Sequence, residues 1–138
     1  MNHVKHLKSL YEAFGRGDMP TVLGAMDPNI EWREAESNPY SPPSGEPFVG
    51  PDNVLNNLFM KLNEEWDDFT VTPAVFHDAG DHVIVEGRYS GTYKETDLEN
   101  DTPFCHIWEF KGDKIIKFQQ YTDTAELQRV MGVTAAAV

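Results

Sequence analysis

Apolar positions near the start of the chain recur at spacings of three and four: Val4, Leu7, Leu10, Tyr11 and Phe14 form one stripe. That period predicts an amphipathic helix, stopped by Gly15-Arg16-Gly17. Asp18 is placed to cap a second short helix, with Pro20 tolerated in its first turn, Val22, Leu23 and Met26 as its inner face, and Asp27-Pro28 as its end. The period then drops to two. Ile30, Trp32 and Glu34 share one face of a predicted strand and Glu31, Arg33 and Ala35 the other, so an acid lands on the apolar face.

Residues 36–50 hold four prolines and two glycines, which predicts a loop long enough to serve as a lid or pocket rim. Pro51 opens a third helix, in which Val54, Leu55, Leu58, Phe59, Leu62 and Trp66 make a broad apolar face. From Phe69 the period is two again. Residues 69–77 and 82–93 read as strands around a turn at 78–81, and Thr96 to Thr102 as an acidic loop. The stretch from Asp101 to Asp123 reads as two strands joined at Lys111-Gly112-Asp113-Lys114, with Phe104, His106, Trp108 and Phe110 on one face. A short helix follows Asp123, and 132–138 reads as a loose tail. Helices set apart from a run of antiparallel strands give a single α+β domain over 1–138, its third helix packed across one face of a curved sheet. The βαβα alternation of a dinucleotide fold is missing.

Composition narrows the function. The chain has 138 residues and a net charge of −12, from 23 acidic against 11 basic residues. Such a field repels polyphosphates and anionic surfaces, so neither nucleic acid nor membrane is an expected partner, while a small apolar molecule is indifferent to it. No apolar run nears the roughly 18 residues of a membrane span, and a cytoplasmic location is expected. The single cysteine, Cys105, excludes an intrachain disulfide and a multi-cysteine zinc site. No His-Glu-x-x-His, nucleophile elbow or phosphate loop occurs, and neither a metal nor a cofactor is expected.

Three residues carry candidate chemistry. Glu34, beside Trp32 on the apolar face, would lose hydration, which raises a carboxyl pKa toward the range of a general base. His106, between Phe104 and Trp108, could as a neutral imidazole donate a hydrogen bond to a ligand oxygen; a core histidine bonded to a backbone carbonyl would give the same pattern. Asp123 shares a strand face with Tyr121 if the strand is regular, or else caps the last helix in a box with Glu126. Tyr11, Trp32, Phe59, Trp66, Phe104, Trp108 and Tyr121 are the expected cavity-lining residues, and each could equally be core.

The order of these pieces resembles the nuclear transport factor 2-like superfamily, and within it the SnoaL-like proteins and relatives of ketosteroid isomerase. The resemblance rests on Tyr11-Glu-Ala-Phe-Gly-Arg-Gly-Asp18, Met26-Asp-Pro28, Ile30 to Glu34, Gly80-Asp81 to Gly91-Thr92, His106-Ile-Trp108, Gly112-Asp-Lys114 and Tyr121-Thr-Asp123, nearly the whole chain. It implies a cone-shaped, barrel-like fold in which a strongly curved mixed or antiparallel sheet wraps three helices around an apolar pocket, commonly in a homodimer. In the isomerases an aspartate general base faces an oxyanion hole of a tyrosine and a protonated aspartate. The base falls on Glu34 and the oxyanion-hole aspartate on His106. The tyrosine falls on Leu10, a departure from the pattern, with Tyr11 about 100° round the helix. The late acid of SnoaL-type cyclases falls near Asp123. Three functions follow as expectations: a cofactor-independent acid–base enzyme of isomerase or cyclase type acting α to a carbonyl, a non-catalytic module that binds an apolar ligand, or a dimeric interaction domain with a vestigial pocket.

Overall fold

The computed structural model describes residues 2–133; the distal part of the expected tail, 134–138, lies outside them. Helix α1 (His3–Gly15) is capped by the Asn2 side chain, and α2 (Met19–Gly24) by Asp18, as its carboxylate and the early Pro20 anticipate. Strand β1 (Met26–Arg33) follows, then a long loop, the two-residue strand β2 (Phe48–Val49), and helix α3 (51–65). Four long strands come next: β3 (Trp66–Ala79), β4 (His82–Tyr93), β5 (Leu98–Lys111) and β6 (Lys114–Thr122), before helix α4 (Thr124–Met131). Among the described residues no helix is long and apolar enough to cross a membrane.

All six strands form one sheet in the order β2-β1-β6-β5-β4-β3. It is mixed: β1 runs parallel to β6 and every other pair is antiparallel. The sheet is open, with β2 and β3 at its edges. Register shifts interrupt β1, β3 and the β5–β6 ladder, and each such bulge adds twist and bends its strand. Pro73 sits in edge strand β3, where a missing N–H is tolerated. The bent sheet closes its concave face over α1 and α3, and on that face lies one core that includes Leu7, Ile30, Val54, Val83, Val85 and Phe118.

Two element boundaries differ from the periodicity. Trp66 continues the helical spacing of α3 but is the first residue of β3: its backbone is extended, with φ −122° and ψ 146°, and it pairs with Tyr93 of β4. The expected acidic loop 96–102 is mostly strand. Asp97 turns the hairpin with φ +60°, while Glu99 and Asp101 alternate on the outer face and leave Asn100 and Thr102 buried on the inner one. Acids at every second position are what a half-solvated strand looks like.

Helix α3 contains a π-helical turn at Leu55–Phe59, where the Met60 N–H bonds back to Leu55 O. One extra residue in that turn lets both Leu58 and Phe59 face the core. In the sheet, β4 has no room for a side chain at Gly87. A Cβ there would lie 2.3 Å from the Thr72 carbonyl oxygen and 2.4 Å from Phe104 Cζ. Gly87→Ala is therefore expected to lower stability by about 1–3 kcal/mol through overpacking, read as a lower midpoint in thermal denaturation followed by circular dichroism; an unchanged midpoint would show that the Thr72 carbonyl and the Phe104 ring both give way freely.

Candidate functional site

The concave face encloses a cavity of about 80 Å³ with strongly apolar walls. Its lining runs from Ile115, which pairs with Phe110 at one end of β5, to Asn100 near the other end of that strand. So small a volume along so long a wall is a narrow channel. For scale, an apolar cavity of roughly 150 Å³ accommodates benzene.

Glu34 stands just past the end of β1, on the face it shares with Trp32, and lines the channel. The Trp32 indole N–H donates to its Oε2 at 3.2 Å. The side chain is only partly exposed, and loss of hydration pushes its carboxyl pKa up to about 7, a rise that the indole hydrogen bond only partly opposes. At neutral pH the group is thus divided between acid and base.

Gln120, from β6, reaches the same place. Its Oε1 accepts from Asn38 Nδ2 at 2.7 Å and from the Ala35 backbone N–H at 3.3 Å. Two donors on one end fix that atom as the carbonyl. The amide nitrogen then donates to Tyr89 Oη at 2.8 Å and toward Glu34 Oε1 at 3.4 Å. One nitrogen therefore holds the carboxyl and the tyrosine hydroxyl within two hydrogen bonds of each other.

His106 is 4% exposed and bonded on both sides. Nδ1 meets Tyr11 Oη at 2.6 Å and Nε2 meets Tyr89 Oη at 2.5 Å. Burial holds its pKa well below the usual imidazole range, so the ring is neutral. Burial likewise raises the pKa of Tyr11, and burial with the nearby Glu34 charge raises that of Tyr89.

Counting protons gives the chemical consequence. Tyr11 Oη also accepts from the Trp108 indole N–H at 3.0 Å, as Tyr89 Oη accepts from Gln120. The two tyrosines and the neutral imidazole bring three protons to two hydrogen bonds. In either histidine tautomer one tyrosine hydroxyl accepts twice and has its own proton to spare. The expectation that His106 itself donates to a ligand needs revision on this geometry, since both ring nitrogens are taken within the protein. His106 positions the tyrosines instead.

The other sequence candidates divide. Tyr11, Trp32, Phe59, Trp66 and Trp108 line the channel. Phe104 stacks on His106 at 3.9 Å between ring centroids and backs it from outside the lining. Tyr121 is 54% exposed, because the strand alternation of β6 turns Phe118 and Gln120 inward and Tyr121 outward. Asp123 is exposed and caps α4, its Oδ1 accepting the Glu126 N–H at 3.1 Å. Tyr121 and Asp123 therefore stand away from the channel.

Tyr89, Gln120, Asn38 and Asn100 were not among the expected residues. Alternation could have found the first two: Tyr89 follows Val83, Val85 and Gly87 on one face of β4, and Gln120 follows Phe118. Asn38 lies in the proline-rich loop, which carries no period. That loop is tied down by Tyr40, whose hydroxyl donates to Glu65 at 2.7 Å and accepts from the Trp66 indole at 2.8 Å.

Residues 7–118 match the family described as the SnoaL-like domain. An NTF2-like protein from Burkholderia thailandensis is similar at 35% identity, over 92% of this chain and 95% of that one, with a TM-score of 0.86. An NTF2-like protein of unknown function from Burkholderia pseudomallei follows at 27% identity, 98% and 99% coverage and a TM-score of 0.83. A protein with a ketosteroid isomerase-like fold from Catenulispora acidiphila, in complex with trimethylamine, shares the fold at 16% identity, with 96% of each chain covered and a TM-score of 0.75. No curated protein matches the chain.

Proposed function

Since the chain belongs to the SnoaL-like domain family of the NTF2-like superfamily, we propose that it is a cofactor-independent acid–base enzyme, of isomerase or cyclase type, acting α to a carbonyl in a slim apolar substrate. The observation that carries this is Glu34: a carboxyl on the wall of an apolar channel, with its pKa pushed up to about 7. A carboxyl poised there can take a proton from carbon and return it to another atom without leaving the site. Removing that proton drives negative charge onto the carbonyl oxygen. The spare tyrosine proton answers it, and Tyr89 is the donor of choice because Gln120 ties it to Glu34. Trp32 and Trp108 flank the site, where their apolar rings would hold the substrate and keep water out.

The test needs no knowledge of the natural substrate. The protein is incubated in D₂O with small straight-chain ketones, saturated and β,γ-unsaturated, and α-hydrogen exchange is followed by NMR. Exchange faster than in matched buffer is expected for at least one ketone, and Tyr89→Phe should slow it by about 10²–10³-fold, the usual cost of a lost oxyanion donor. Exchange at the buffer rate throughout the panel would leave a pocket that binds without chemistry.

A further inference from the structure

The far end of the channel holds a polar group that the protein does not satisfy. Asn100 is 2% exposed, lines the channel, and its Oδ1 has no partner among the described residues. Its Nδ2 reaches only Thr102 Oγ1, at 3.4 Å. Across the ladder it faces Gly91, which has no side chain to cover it. Leu127, Trp66 and Phe69 supply apolar wall to the same channel. A buried amide oxygen without a partner, on a group held by one long hydrogen bond, costs stability that a leucine of similar shape would not, so nothing about folding explains an asparagine there.

We propose that Asn100 is a ligand anchor, and that the substrate is an elongated apolar ketone bearing a hydroxyl at the end remote from the carbonyl. Asn100 and His106 are six residues apart on the same face of β5, about 20 Å along a fully extended strand and less along a bent one. A ligand engaging Glu34 and Tyr89 at one end reaches Asn100 only if it is long, and the narrow channel admits only a slim one. The distal group is a hydroxyl because that is the smallest uncharged group on carbon that both donates and accepts. It therefore pairs with the amide whichever of its two ends faces the channel. This inference rests on the acid–base reading and names its substrate class.

The test uses straight-chain methyl ketones of increasing length, each with and without a terminal hydroxyl, bound to the full-length protein and measured by calorimetry. In the wild type the hydroxyl should improve affinity about tenfold at one preferred chain length. In the double variant N100L/T102V, which removes both partners of the Asn100–Thr102 pair, that advantage should vanish while the plain ketones bind within twofold of wild type. The ligand-free variant should also melt higher than the wild type. A hydroxyl with no benefit at any length, a benefit that survives in N100L/T102V, or a lower melting point for the free variant would each overturn the proposal. Failure of the acid–base reading is separate: plain ketones would bind but not exchange their α-hydrogens.

Discussion

Glu34→Gln should reduce α-hydrogen exchange by about 10²–10⁴-fold, the worth of a positioned general base, while leaving ketone affinity nearly unchanged. Glutamine keeps the shape of the side chain and can still accept from the Trp32 indole, so the loss is chemical and not architectural. In the wild type the rate should rise with pH through about 7, as the carboxyl ionises. The same group makes an opposite mark on stability. Its folded pKa lies above the ordinary 4.5, so between about pH 4.5 and 7 the folded state holds a proton that the unfolded state has released. Stability therefore falls across that window as pH rises, by about 3 kcal/mol for the whole shift at 1.36 kcal/mol per unit, and is flat on either side of it. Glu34→Gln removes that slope. Denaturation midpoints of both proteins across that pH range check it: equal slopes would mean that Glu34 is not desolvated, and an undiminished exchange rate would remove it from the chemistry.

The largest loss of stability should come from Trp108→Ala, at about 3–5 kcal/mol, which lowers the melting temperature by roughly 10–20 °C for a domain of this size. Trp108 is buried on β5 and stands edge-on to Tyr11, Trp32 and Phe118, with ring centroids 5.8, 5.6 and 4.5 Å away. Removing it opens a void that three elements share, α1, β1 and β6, and none of them can collapse into it alone. Trp108→Phe separates packing from polarity. It keeps most of the contact area but deletes the N–H that Tyr11 accepts, so its stability loss should be far smaller than that of Trp108→Ala. Equal losses in the two variants would place the stabilising contribution in the hydrogen bond and not in the aromatic packing.

Much of this site could be read from alternation alone. Period two in β1 and β5 put Glu34 beside Trp32 and His106 between Phe104 and Trp108, and the structure finds these residues on or against one channel. Alternation says which face a side chain takes, but not what meets it there. The partners of His106 come from α1 and β4, 95 and 17 residues away in sequence, and no local pattern encodes such pairings. Tyr121 shows how a local pattern misleads. Its inward placement assumed a match with Asp123, whereas pairing of Cys105 with Tyr121 and of His106 with Gln120 sends the tyrosine outward. Asn100 was obscured by its neighbours, since an acidic composition over 97–101 suggests solvent although only alternate positions face it.

The chain has three tryptophans, Trp32, Trp66 and Trp108, and all three border the channel from buried positions. Every indole fluorophore in the protein thus sits on the wall of the channel, with no bystander elsewhere to dilute the signal. The intrinsic emission of the untagged protein is accordingly a reporter of channel occupancy. Quenching or a spectral shift upon titration would register arrival of a molecule in the channel, whether or not that molecule is ever turned over.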